Sequence, residues 1–313
     1  MQWGRMMKTW RSFSREISRN GALYLLALPG IVFLIIFAYV PMFGHLIAFK
    51  RFRAAQGIFG SPWAGFDNFA FFFGSDDWLR VTLNTLGLNL LFLTTELLFA
   101  LLLAIFLNEI RSLLFKKLAQ SLILMPYLIS WLVVSMMTFA LFNTTDGLIN
   151  RQLQQIGVAG PAWYNEPALW PPLLALIKTW KSAGYYSIIF LAAMTSISIE
   201  NYEAAKIDGA TRLQQIRYIT LPLLIPTAII LALLGLGRIF FGDFGMIYAL
   251  VGDNGVLFPT TDVIDTYAFR ALRQLGNFGM ASAVVLYQAT FGLVCVLIFN
   301  WMAKKIEPDA SLF

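Results

Sequence analysis

Residues 203–226 read EAAKIDGATRLQQIRYITLPLLIP, a polar stretch set between long apolar runs. Glu203, Ala204 and Ala205 open it with good helix formers. Gly209 takes positive φ at no steric cost, so it can end that helix. Ile216, Ile219 and Leu221 give the next piece an apolar edge. Pro222 and Pro226 are placed to start the following apolar helix, where a missing N–H costs least. The pattern predicts two short helices around a turn. A small charged element between two membrane helices, able to plug into a groove, is built for docking.

The chain around it is membrane-like. Of its 313 residues, 58% are hydrophobic and only 13% charged, with a mean hydropathy of +0.69. Soluble domains carry about 25% charged residues. Apolar runs of about 20 residues cross a bilayer. Six regions qualify: 22–40, 83–107, 118–142, 169–195, 222–250 and 280–302. An all-α polytopic membrane protein of six transmembrane helices is therefore expected, its membrane domain covering 22–302. The first 20 residues are too charged for a cleaved signal peptide. Trp3, Met6, Met7, Trp10, Phe13 and Ile17 recur at helical spacing among basic residues. They predict an amphipathic helix over 1–21 lying on the lipid surface.

Lysine and arginine set the orientation. With six spans, residues 1–21, 108–117, the 203–221 loop and the tail 303–313 share one side. They carry thirteen Lys and Arg, against seven on the longer opposite loops. Both termini and the 203–221 loop are thus expected in the cytoplasm, with the chain multi-pass in its membrane. The aromatic-rich loop 41–81 lies on the far side, as an interfacial belt or a landing surface for a soluble partner.

Charges inside apolar runs usually face a cavity. The candidates are Glu96, Lys178, Lys181, Arg238 and Asp243. Lys178, Lys181 and Tyr185, at i, i+3 and i+7, share one helix face. Counting from the ends of their runs puts Lys178, Glu96 and Arg238 roughly 14–18 Å deep. Arg238 and Asp243 sit among Gly235, Gly237, Gly242 and Gly245, and glycine-broken helices commonly build substrate sites. These residues are read as a substrate path that leans towards anionic or polyhydroxyl ligands. The structural alternative is a set of internal ion pairs, Glu96 with a lysine and Asp243 with Arg238. Carboxylates at this depth also permit a proton-coupled secondary transporter.

Glu203-Ala204-Ala205, Asp208-Gly209-Ala210, Ile219, Leu221-Pro222 and Pro226 together resemble the coupling (EAA) loop of ABC-importer permeases. Ile216 departs mildly, standing where that family often has an aromatic residue. Residues 261–270 (TDVIDTYAFR), 277–283 (NFGMASA) and Asn300 resemble the polysaccharide-type carbohydrate branch of these permeases. Within that branch the basic mid-span residues are similar to permease subunits of bacterial alginate importers. The resemblance covers essentially the whole chain and implies a bacterial inner-membrane location. It implies a type I importer architecture, with Glu203, Ala204, Ala205, Asp208, Gly209, Ala210, Ile216, Leu221 and Pro222 meeting an ATPase. It also implies a second homologous permease, two ATP-binding subunits, and a periplasmic or extracellular solute-binding protein that delivers an acidic oligosaccharide.

No phosphate-cradling G-x-x-x-x-G-K-[ST] loop exists in the sequence. His45 is the only histidine, so no Ser-His-Asp set can form and no His cluster for a metal. It reads as an interfacial residue. Cys295 stands alone, which excludes an internal disulfide. No cofactor is expected in this chain; ATP and Mg²⁺ belong to the partner ATPases, and no nucleic acid partner is expected.

Overall fold

The computed structural model describes residues 19–306. Nearly all of the helix expected over 1–21, and the tail beyond 306, lie outside the described residues. Among the described residues the architecture is helical, with one isolated β-bridge, between Lys50 and Trp63. Four helices among the described residues are each long and apolar enough to cross a membrane: α1 (Arg19–Phe49), α3 (Asp77–Glu109), α9 (Arg212–Leu236) and α12 (Phe278–Ile306). The short α2 (Asp67–Phe73) precedes α3. Two bent helix pairs reach the same length and apolarity only when each pair is taken together. In the first, α4 (Leu113–Leu128) meets α5 (Trp131–Phe142) at 94°. In the second, α7 (Trp170–Thr195) meets α8 (Ile199–Ile207) at 70°. Between them lies α6 (Leu148–Gln155); α10 (Phe244–Val251) and α11 (Ile264–Arg273) fill the connection to α12.

The central pair is α3 against α7. Apolar side chains gain little by leaving lipid for protein, so close packing has to hold such helices together. Small residues supply it: Ala100, Ala104 and Ala183 are buried in one cluster with Leu107, Phe190 and Met194. Gly184 is the tightest approach, since a Cβ there would collide with the backbone of Ile123 on α4. Outward faces stay apolar: Leu26 and Phe106 are exposed, and no residue of α1's apolar window is buried.

Two expected spans differ in detail. The run 118–142 is not one straight helix. Pro126 removes a backbone donor and Ile129 is extended, so the chain breaks before Ser130 caps α5 through Val133 N. The run 222–250 is not one helix either. It ends at Leu236, turns through 237–243 and resumes as α10. Its start is also earlier than the prolines suggest. The second short helix predicted in 203–226 is the first turn of α9 itself. A π-helical turn over Ile216–Thr220 joins them, with Leu221 N donating to Ile216 O. Pro222 has no N–H for the carbonyl four residues back, and the widened turn accommodates that loss.

Candidate functional site

At one end of the bundle, the polar segment caps itself. Ser198 accepts from Glu200 N at the start of α8. At the other end of α8, Gly209 sits at φ +79°, Gly209 N donates to Lys206 O and Ala210 N to Ala205 O. That pair of bonds is a Schellman motif, which requires the left-handed residue that glycine supplies. Thr211 then opens α9 with a capping box: Gln214 Oε1 accepts from Thr211 N at 2.7 Å, and Thr211 Oγ1 accepts from Gln214 N. Tyr202 and Thr220 hydroxyls, 2.9 Å apart, tie α8 to the π turn. The local order leaves Glu203, Ala204 and Asp208 exposed, with apolar Ile207 (87%) and Leu213 (74%) bare beside them. Ala205, Ala210, Ile216 and Leu221 are half-buried, and Pro222 is exposed on α9.

At mid-span, the two breaks of the bundle free backbone groups among apolar side chains that cannot satisfy them. Lys181 closes the first. Its ammonium donates to Pro126 O (3.2 Å), Tyr127 O (2.7 Å) and Ile129 O (2.5 Å), and it lies 5.2 Å from the Trp131 ring centre. A cation at a helix C-terminus also complements the helix dipole. Neutral amides and a carboxylate hold the second break. Asn89 on α3 donates to Ile239 O and Phe241 O, Gln288 on α12 donates to Phe240 O, and Asp265 on α11 accepts from Gly242 N and Gln288 Nε2. Asn89, Asp265 and Gln288 are absent from the sequence-predicted site. Two of them are neutral amides inside apolar spans, the signal that charge-spotting passes over.

Among the mid-span charges, Lys178 pairs with Asp243 at 2.5 Å, not Arg238 with Asp243. Asp243 uses its other oxygen to cap α10 through Met246 N (3.0 Å). Arg238 is exposed, and among the described residues it has no acidic partner within 4 Å. Glu96 is buried at 6% exposure, its Oε1 has no hydrogen-bond partner, and it forms no ion pair with either lysine. Lys178, Lys181 and Tyr185 do share a face, and it looks onto the α4–α5 break. Lys178 lies over Trp131, and Tyr185 stacks on Tyr127 with ring centres 4.6 Å apart. Lys181 is spent on carbonyls, which leaves Lys178 as the reachable cation of this face.

A polytopic bundle whose spans break around charges at mid-depth, with a self-capped polar element at one end, defines a transport permease. Residues 96–310 match the family described as binding-protein-dependent transport system inner membrane component, and the chain belongs to that family. It is 34% identical over 302 residues to Protein LplB of Bacillus subtilis (strain 168), spanning 95% of this chain and 93% of that one. It is 37% identical over 287 residues to the polygalacturonan/rhamnogalacturonan transport system permease protein YteP of the same strain, spanning 92% and 89%. Among solved structures it superposes with a TM-score of 0.86 and 34% identity on a chain of a bacterial ABC transporter involved in the import of the acidic polysaccharide alginate. That likeness covers 95% of this chain and 99% of the other. A bacterial alginate ABC transporter in complex with an alginate pentasaccharide-bound periplasmic protein gives 0.84, at 34% identity over 93% of this chain and 97% of that one. The fold is that of an ABC-importer permease, and the proton-coupled carrier is set aside.

Proposed function

We propose that this chain is one of two permease subunits of an ATP-driven importer for acidic oligosaccharides. The observation that carries the substrate reading is the full-length likeness to permeases of acidic-polysaccharide systems, joined to Lys178 and Arg238 at mid-span. A periplasmic or extracellular binding protein delivers the saccharide. Two ATPase subunits hold the ATP and Mg²⁺, and this chain does no catalysis. The 203–221 segment seats in the ATPase. Its motif residues then have separate roles. Ala205, Gly209 and Ala210 build the turn, while Glu203, Ala204 and Asp208 meet the partner. Closure of the ATPases moves this segment, and α9 carries the motion to the 237–243 break. The path alternates between inward and outward access. Both termini face the cytoplasm, as the distribution of Lys and Arg supports.

The test is affinity purification followed by reconstitution. Intact-complex mass spectrometry on the purified chain should find a second permease and two ATPases. Proteoliposomes holding that complex and its binding protein should take up oligogalacturonate or oligo-alginate only with ATP. A lone ATPase-free chain, or uptake of neutral oligosaccharides alone, overturns the reading.

A further inference from the structure

We propose that Asp243 is an internal competitor of the substrate's carboxylate: an acidic saccharide takes Lys178 from Asp243 and so releases the 237–243 turn from α7. The inference rests on the acidic-saccharide reading above and goes beyond it, to how charge is recognised.

Four observations carry it. Lys178–Asp243 is, among the described residues, the one ion pair between two mid-span charges. It can be reached: the two side chains are 19% and 26% exposed, whereas Asp262, paired with Arg270 near α11, is fully enclosed. Asp243 still has a function when Lys178 leaves, because Oδ1 caps α10. The polar contacts that otherwise hold the turn come from Asn89, Gln288 and Asp265, on α3, α12 and α11. The ion pair is therefore the polar tie of this turn to α7.

The chemistry selects for charge. A carboxylate-for-carboxylate exchange leaves the ammonium paired throughout; the charge it frees is that of Asp243, which is 26% exposed and keeps the Met246 N–H on Oδ1. A neutral sugar offers only hydroxyls. It cannot match the charge-assisted bond that it would have to replace. The contact thus excludes neutral ligands and opens for acidic ones.

Asp243→Asn separates the two roles of this residue, since Asn caps a helix as well as Asp. Tetragalacturonate binding to the purified complex, without binding protein, is measured by calorimetry. With the competitor removed, D243N should bind roughly tenfold tighter than wild type, the worth of one charged hydrogen bond. Lys178→Met should bind at least tenfold more weakly. Unchanged or weaker binding by D243N, while wild type binds, overturns the proposal and makes the pair purely structural. Should D243N misfold, a reporter in the native pair decides. With Cys295→Ser and Phe241→Cys, tetragalacturonate should speed maleimide labelling of the turn several-fold, and a neutral galactotetraose should not. Equal labelling in both overturns the proposal. Failure of wild type to bind or import any acidic saccharide instead sinks the parent reading, a different result.

Discussion

The 203–221 segment and the mid-span breaks solve one problem in opposite ways. Each must satisfy the backbone groups left over at helix ends. The polar segment does so with its neighbours in sequence: Ser198 with Glu200, Ala205 with Ala210, Thr211 with Gln214. The breaks do so with side chains from elsewhere. Lys181 reaches carbonyls more than 50 residues back, and Asn89 reaches carbonyls 150 residues ahead. Water stands ready to replace a lost cap at an exposed helix end. Inside the bundle a group that faces apolar side chains has no such replacement. The remote clamps should therefore matter more than the local caps.

That ordering can be broken by mutation. Lys181→Met leaves three carbonyls of the α4–α5 break without their ammonium and should cost about 4 kcal/mol. The expected result is a large fall in the thermal aggregation midpoint of the detergent-purified complex, partly recovered by Lys181→Arg. A midpoint indistinguishable from wild type would show that the break needs no clamp. Asn89→Leu orphans two carbonyls and should cost about 2 kcal/mol, measured the same way. Gly209→Val forces a β-branched residue to φ +79° at a cost of about 1–2 kcal/mol. Its main effect should be functional: ATP-driven uptake lost while the membrane subunits still assemble. Normal uptake by G209V would remove this segment from coupling. Thr211→Ala removes one cap of an exposed helix start and should cost about 1 kcal/mol or less, visible as faster local hydrogen exchange at residues 211–215. If T211A proves more damaging than N89L, the contrast between wet and dry ends is wrong.

The same contrast explains what was legible. The turn of the 203–221 segment could be read because Gly209 acts on its neighbours in sequence; the Thr211–Gln214 capping box, although equally local, is absent from that reading. The charged face of α7 could be read as well, since Lys178, Lys181 and Tyr185 follow helical spacing. The pairing could not. Asp243 has Arg238 five residues away in sequence yet meets Lys178, because the turn over 237–243 points Arg238 outward and lays Asp243 against α7. Lys181 looks like a substrate ligand in sequence, and becomes a clamp only once Gly184 lets α4 and α7 approach so closely. The prolines misled in one respect. Pro222 sits inside a continuous helix because a π turn, invisible to periodicity, absorbs its missing donor.

By itself the sequence determined the class of fold, the rough positions of the spans and the turn at Gly209 that ends the first helix of the polar segment. Hydropathy acts over a window of about 20 residues, and helix caps act within a turn or so of the helix end. Only the tertiary structure decided where the spans break, what closes the breaks, and which mid-span charges are paired or left free. Those outcomes depend on groups brought together from distant positions among apolar side chains, where an unpaired backbone carbonyl or ammonium must find whichever partner the packing supplies.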